Sequence, residues 1–131
     1  MKITGNTKVY GIFGFPVKHS LSPLMQTEAF KKTGINAVYV PFEVPPEKLE
    51  DGINGIKAMG IRGINVTVPH KEKVCELMDF LDEDAEFLEA VNTVKNEDGK
   101  LTGYNTDAEG FYTSLKKEGI TLESKKVLMI G

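Results

Sequence analysis

Hydroxyl, amide, ammonium and carboxylate side chains cluster in a few short stretches of this chain. They are Ser20 and Ser22, then Asn65, Thr67 and Lys71, then Asn92 and Thr93, and finally Asn105, Thr106 and Asp107. Each stretch borders an apolar run, where a strand would end, and open α/β sheets bind ligands outside the carboxyl ends of their strands. Such a rim offers hydroxyls, amides, one cation and one carboxylate. That set suits a small polyhydroxylated anion better than an apolar ligand.

Each of these residues also has a purely structural reading. Ser22 precedes Pro23 and would serve as a helix N-cap as readily as a ligand contact. Asp107 falls in the first turn of an expected helix, where the helix dipole favours a carboxylate. Lys71 resembles a solvated helix start, although a cation at a helix N-terminus is slightly unfavourable. Asn92 sits in an expected strand, where asparagine has poor propensity, which implies a hydrogen-bonding duty. The β-branched shape of Thr67 suits a strand without any ligand. His19 and His70, one per loop, make neither a metal pair nor a convincing base, and Cys75 has the apolar spacing of a core residue. Neither a Ser-His-Asp order nor a complete glycine-rich phosphate loop is present. Taken singly, none of these residues fixes a function.

The elements that must position them alternate. Residues 9–14 read as a buried strand, and Ser22-Pro23 opens a helix that Gly34 stops. Residues 37–44 form a second strand, placed at a sheet edge by Pro41. Pro45-Pro46 opens a helix bearing Leu49, Ile53 and Ile56 and ending at Gly60; residues 61–68 are the third strand. Val74, Leu77, Met78 and Leu81 have the spacing of one helix face, and a short acidic helix follows over 83–89. Residues 91–96 and 101–105 flank Asp98-Gly99, a strong hairpin signal. Thr106-x-x-Glu109 reads as a capping box for a helix from Asp107 to about Lys117. Residues 126–131 read as a last buried strand.

This alternation predicts an α/β domain of three layers: a mostly parallel mixed sheet with one β-hairpin and helices on both faces. A final apolar strand with no helix after it suggests either a chain cut within a longer protein or a strand docked at the sheet edge.

Composition bounds the remaining choices. The chain has 131 residues, a net charge of -3, 40% hydrophobic and 27% charged side chains, enough for one compact domain. It is too apolar for a disordered chain and too weakly charged to imply a nucleic-acid partner. No apolar run approaches the ~20 residues of a membrane span, and the N-terminus lacks a signal-peptide core. The single cysteine fits a reducing cytoplasm, and scattered histidines argue against a metal site.

Four segments together carry a resemblance. GFPVKHSLSP at 14–23, NVTVPHK at 65–71, AVNTV at 90–94 and GYNTDAEGF at 103–111 resemble, in order and spacing, the successive signatures of the shikimate dehydrogenase family. The resemblance runs nearly end to end, with His70 standing where phenylalanine is common. It implies an N-terminal substrate-binding domain at 1–131, with about 126–131 beginning an NADP-binding Rossmann domain that lies beyond it. The implied reaction reduces 3-dehydroshikimate to shikimate with NADPH, a step toward chorismate and the aromatic amino acids.

The implied roles follow position by position. Ser20 and Ser22 hold the substrate carboxylate; Asn65, Thr67, Asn92 and Asp107 bond ring hydroxyls; Lys71 and Asp107 form the catalytic pair, with Lys71 also touching substrate. Glu83 and Gly131 fall at cofactor-facing positions. On this reading the chain alone binds shikimate weakly and does not turn it over, and the face built to meet the second domain promotes self-association. A dehydrogenase acting on both quinate and shikimate and a non-catalytic shikimate-binding module remain the alternatives.

Overall fold

A computed structural model of the chain describes residues 2–130. Among them the sheet contains six strands in the order β2-β1-β3-β5-β6-β4. These are β1 (Lys8–Gly14), β2 (Ala37–Glu43), β3 (Gly63–Val66), β4 (Phe80–Leu81), β5 (Thr93–Glu97) and β6 (Lys100–Tyr104). The helices are α1 (Ser22–Thr33), α2 (Leu49–Met59), α3 (Glu83–Leu88) and α4 (Asp107–Lys117). Parallel pairing joins β1 to β2, β1 to β3 and β4 to β6, while β5 lies antiparallel between β3 and β6. The three-layer α/β expectation is met: α1 packs on one face, with α2 and α3 on the other.

Local chemistry explains most boundaries. Pro41 cannot donate to a ladder, and β2 is indeed an outer strand. Gly34 and Gly60 end α1 and α2 in the left-handed conformation, each turning its N–H back onto the last helical carbonyls. Asp98 and Gly99 both have positive φ, as a two-residue hairpin turn with the right-handed twist demands. The core lies mainly under α2, where Phe13, Ile53, Ile56, Ile64, Val94 and Leu101 are buried together.

Four expectations need correction. The periodic stretch from Val74 to Leu81 is not a helix but a 3-10 turn over Lys73–Leu77 followed by β4. Asp79 explains the break: its N–H donates to the Leu101 carbonyl, and its carboxylate accepts from Leu101 N at 2.7 Å and Lys57 Nζ at 3.0 Å. Val74 stays buried and Leu77 and Met78 pack against the core, so the apolar spacing is satisfied without a helix.

Ser22 is not an N-cap but lies inside the first turn of α1; Ser20 Oγ instead accepts the Ser22 N–H at 3.2 Å. The Thr106 capping box does not form either: Thr106 Oγ1 is engaged with the Asn92 amide rather than the Glu109 N–H, and Asn105 Oδ1 accepts the Asp107 N–H at 3.0 Å. Finally, residues 126–130 adopt no strand, and Val127, Leu128, Met129 and Ile130 are exposed, with no neighbouring strand to pair with among the described residues. Gly131 lies outside the described residues. No described helix is long and apolar enough to cross a membrane.

Candidate active site

Strand directions gather the polar residues at one sheet edge. The parallel strands β1 and β3 end side by side; β5 begins there because it is antiparallel to β3, and β6 ends there because it is antiparallel to β5. Ser20 and Ser22 follow β1, Thr67 and Lys71 follow β3, Asn92 precedes β5, and Asp107 follows β6. The register aligns Ile12, Asn65, Thr93 and Tyr104 in one row. Ile12 and Tyr39 pack on the α1 side, so the aligned Asn65 and Thr93 face that side too.

A continuous chain of hydrogen bonds runs along this edge. Lys71 Nζ donates to Asp107 Oδ2 at 2.6 Å, and Asn92 Nδ2 donates to Asp107 Oδ1 at 2.8 Å and to Thr106 Oγ1 at 2.9 Å. Asn92 Oδ1 accepts from Thr106 N at 3.1 Å and Thr93 Oγ1 at 3.0 Å. Asn65 Nδ2 donates to Thr93 Oγ1 at 3.1 Å and to the Asn92 carbonyl at 3.3 Å, and the Tyr39 hydroxyl donates to Asn65 Oδ1 at 2.7 Å. Lys71 is held from behind as well, since its carbonyl accepts the Val91 N–H at 2.8 Å. Asn105 ties the start of α4 to the same segment by donating to the Ala90 carbonyl at 2.9 Å.

The electrostatics follow from these contacts. The Lys71 ammonium bonded to Asp107 holds that carboxyl below the usual carboxylate range; partial burial opposes this and the Asn92 amide adds to it. Burial pushes the Tyr39 phenol up to about 12, with the Ser22 hydroxyl beside it acting in the opposite sense. Asp107 is therefore an anion and Tyr39 a neutral donor near neutral pH.

Next to this chain lies a cavity of about 410 Å³ lined by His19, Ser20, Ser22 and Thr67 over a floor of Ile12 and Val17. Gly14 lets Thr67 pack close against β1, as a Cβ there would stand 2.5 Å from the Thr67 methyl. Ser20 Oγ spends an acceptor position on the Ser22 N–H and keeps its proton to donate.

The structure thus brings Ser20, Ser22 and Thr67 around one cavity, and Asn65, Lys71, Asn92 and Asp107 into one network. Glu83 stands exposed in the first turn of α3, outside that network. His70 is buried, its Nε2 2.7 Å from the Val44 carbonyl, so it anchors the loop that carries Lys71. Sequence reasoning missed Tyr39 and gave Thr106 no role in the network. Tyr39 looks like any core residue of an apolar strand, and only the pairing β2-β1-β3 brings it to Asn65. Among the described residues no group of three His, Cys, Asp or Glu side chains could hold a metal ion.

Comparison with known proteins agrees with this geometry. The family described as shikimate dehydrogenase substrate binding domain matches residues 12–94. The NADP(+) shikimate dehydrogenase of Caldanaerobacter subterraneus subsp. tengcongensis is 53% identical over 131 residues, 100% of this chain and 47% of its own. The crystal structure of shikimate dehydrogenase from Aquifex aeolicus has a TM-score of 0.86 at 51% identity, covering 88% of this chain and 44% of that one. The shikimate 5-dehydrogenase of Listeria monocytogenes, solved with shikimate and NAD, has a TM-score of 0.88 at 44% identity, over 93% of this chain and 42% of that one. The chain spans about half the length of the curated relatives it matches. With more than half its residues inside the matched region and its polar edge assembled as above, the chain belongs to the shikimate dehydrogenase substrate-binding domain family.

Proposed function

We propose that the chain is the substrate-binding and catalytic domain of an NADP-dependent shikimate dehydrogenase, which interconverts 3-dehydroshikimate and shikimate on the way to chorismate and the aromatic amino acids. One observation carries this reading: the Lys71–Asp107–Asn92 cluster lies at the same sheet edge as the cavity of Ser20, Ser22 and Thr67. The two halves fit the two ends of a hydroxylated cyclic acid. Ser20 and Ser22 offer hydroxyl donors to its carboxylate. Thr67 offers a hydroxyl and Asn65 and Asp107 keep acceptor positions for ring hydroxyls, while Asn92, bonded on both sides of its amide, exchanges one of those bonds to reach the ligand.

Interconverting a ketone and an alcohol moves a proton at the oxygen. Lys71 has three N–H donors and Asp107 occupies one of them, leaving others for that oxygen. As the ketone is reduced, charge builds on oxygen; Lys71 stabilises it and gives up a proton, and in the reverse direction it takes the proton back. Asp107 holds the ammonium in place through their 2.6 Å ion pair.

Hydride chemistry belongs to the nicotinamide. The described residues do not fit a dinucleotide. A pyrophosphate needs N–H-rich, glycine-lined backbone at a helix start, whereas the first turn of α3 holds Glu83, Asp84 and Glu86. We therefore assign the dinucleotide to the half of the relatives' length that this chain does not span, and Glu83 and Gly131 to the border with it. Exposed Phe111 and Tyr112 on α4 and Val127–Ile130 beyond it are suited to meet that half, and the same surface favours self-association of the chain alone. A cytoplasmic location fits the free thiol of Cys75, and neither nucleic acid nor a membrane is assigned as a partner.

The test is NADPH oxidation with 3-dehydroshikimate by the whole enzyme. We expect turnover that Lys71→Ala and Asp107→Ala both suppress, and none from residues 1–131 alone. A whole enzyme that leaves 3-dehydroshikimate unreduced contradicts the assignment.

A further inference from the structure

We propose that Thr93 is a positioning residue whose hydroxyl locks the Asn65 and Asn92 amides to each other, so that the Asn92 NH2 group faces Asp107 and the Thr106 hydroxyl. Its effect on turnover rests on the function proposed above; the geometry stands without it.

The direction of each bond follows from groups with only one choice. The main-chain carbonyl of Asn92 can only accept, so the Asn65 atom 3.3 Å from it is the NH2 group. That same NH2 lies 3.1 Å from Thr93 Oγ1, which must accept there. The Thr93 proton is then left for Asn92 Oδ1, 3.0 Å away. The Thr106 N–H, again a group with one choice, donates to the same Oδ1 at 3.1 Å. Two donors on one side of the Asn92 amide leave its Nδ2 facing the Asp107 carboxylate at 2.8 Å.

Position makes Thr93 the link. It opens β5, pairs with Asn65 across the antiparallel ladder and sits one residue after Asn92. A valine there would keep the β-branched shape and lose both bonds. A threonine selected only for strand propensity would tolerate that exchange without change at Asp107. The charged group placed against Asp107 is Lys71, and the Asn92 amide is the neutral donor on its other oxygen.

The experiment follows the Asp107 carboxyl carbon and the Asn92 side-chain amide by NMR against pH, in the ligand-free chain and in Thr93→Val and Thr93→Ser. In Thr93→Val we expect the Asp107 midpoint to rise toward that of an ordinary carboxylate and the Asn92 amide signals to move. Thr93→Ser restores both. In the whole enzyme Thr93→Val lowers kcat by roughly 2- to 10-fold, the size of one hydrogen bond. A natively folded Thr93→Val with unchanged Asp107 and Asn92 signals overturns the proposal, as does a Thr93→Ser that shifts as far as valine. Should valine fail to fold, Thr93→Ala gives the same reading. A whole enzyme that ignores shikimate while its Asp107 responds to Thr93→Val refutes the proposed function and leaves this inference standing.

Discussion

On the face covered by α2, Phe13, Ile53, Ile56, Ile64, Val94 and Leu101 pack against one another with at most 3% of their surface exposed. On the α1 face the buried cluster is Ile12, Val17 and Tyr39, and beside it the sheet carries Asn65 and Thr93 toward an open groove of about 450 Å³. The same strands build both faces, since alternate residues point to opposite sides. Apolar burial supplies stability in proportion to area, without direction. Amides and hydroxyls contribute little net stability, but they fix where a proton and a charge sit. Separating the two lets the α1 side stay polar and open while the α2 side holds the strands in register.

The separation can be broken from either side. The largest effect expected is Lys71→Ala in the whole enzyme: a fall in kcat on the order of 10²–10⁴, the usual worth of a positioned acid–base group, with melting temperature almost unchanged. A fall in melting temperature that matched the lost activity would dissolve the distinction between the faces. Ile56→Ala is the mirror experiment. It should cost about 2–5 kcal/mol of stability, as a fully buried aliphatic side chain is cut to a stub, while the folded fraction still binds ligand. Denaturant titration reads the first quantity and ligand titration of the folded fraction the second.

A smaller effect concerns pH. Asp79 is held below its ordinary range by the Leu101 N–H and by Lys57, and Asp107 by Lys71 and Asn92. With folded-state values below the unfolded ones, the unfolded chain binds more protons in the interval between them. The stability these groups contribute is therefore present above the ordinary carboxylate value of about 4 and is lost as pH falls through the lower folded values. Both side chains are substantially exposed, so solvent screens the effect. Denaturant midpoints between about pH 5 and 2 should decline less steeply in Asp107→Asn than in the parent. A steeper decline would mean that Asp107 is not stabilised as an anion.

Much of the fold was legible because local rules and tertiary packing agreed. Pro41 announced an outer strand, Asp98-Gly99 a hairpin, and Gly34 and Gly60 the helix ends. Where tertiary bonds compete, the reading failed: Asp79 is drawn onto the Leu101 main chain, which ends a helical pattern that Val74, Leu77 and Met78 otherwise support. At the start of α4 the Thr106 hydroxyl is bonded to the Asn92 amide rather than to the Glu109 N–H that a capping box needs, and the Asn105 side-chain oxygen accepts the Asp107 N–H.

The candidate site was legible as a list of residues and illegible as a circuit. Lys71, Asn92 and Asp107 stood out by type and position. The bonds among them, and the places of Tyr39, Thr93 and Thr106, depend on strand pairing that no short stretch of sequence encodes.

The most direct test of the whole account is a shikimate titration of this chain, without cofactor, followed residue by residue by NMR. The account predicts saturable shifts at Ser20, Ser22 and Thr67 in the cavity and at Lys71, Asn92 and Asp107 in the network, with one common midpoint. Shifts confined to the α2 face, or silence in both this chain and the whole enzyme at millimolar shikimate, would contradict it.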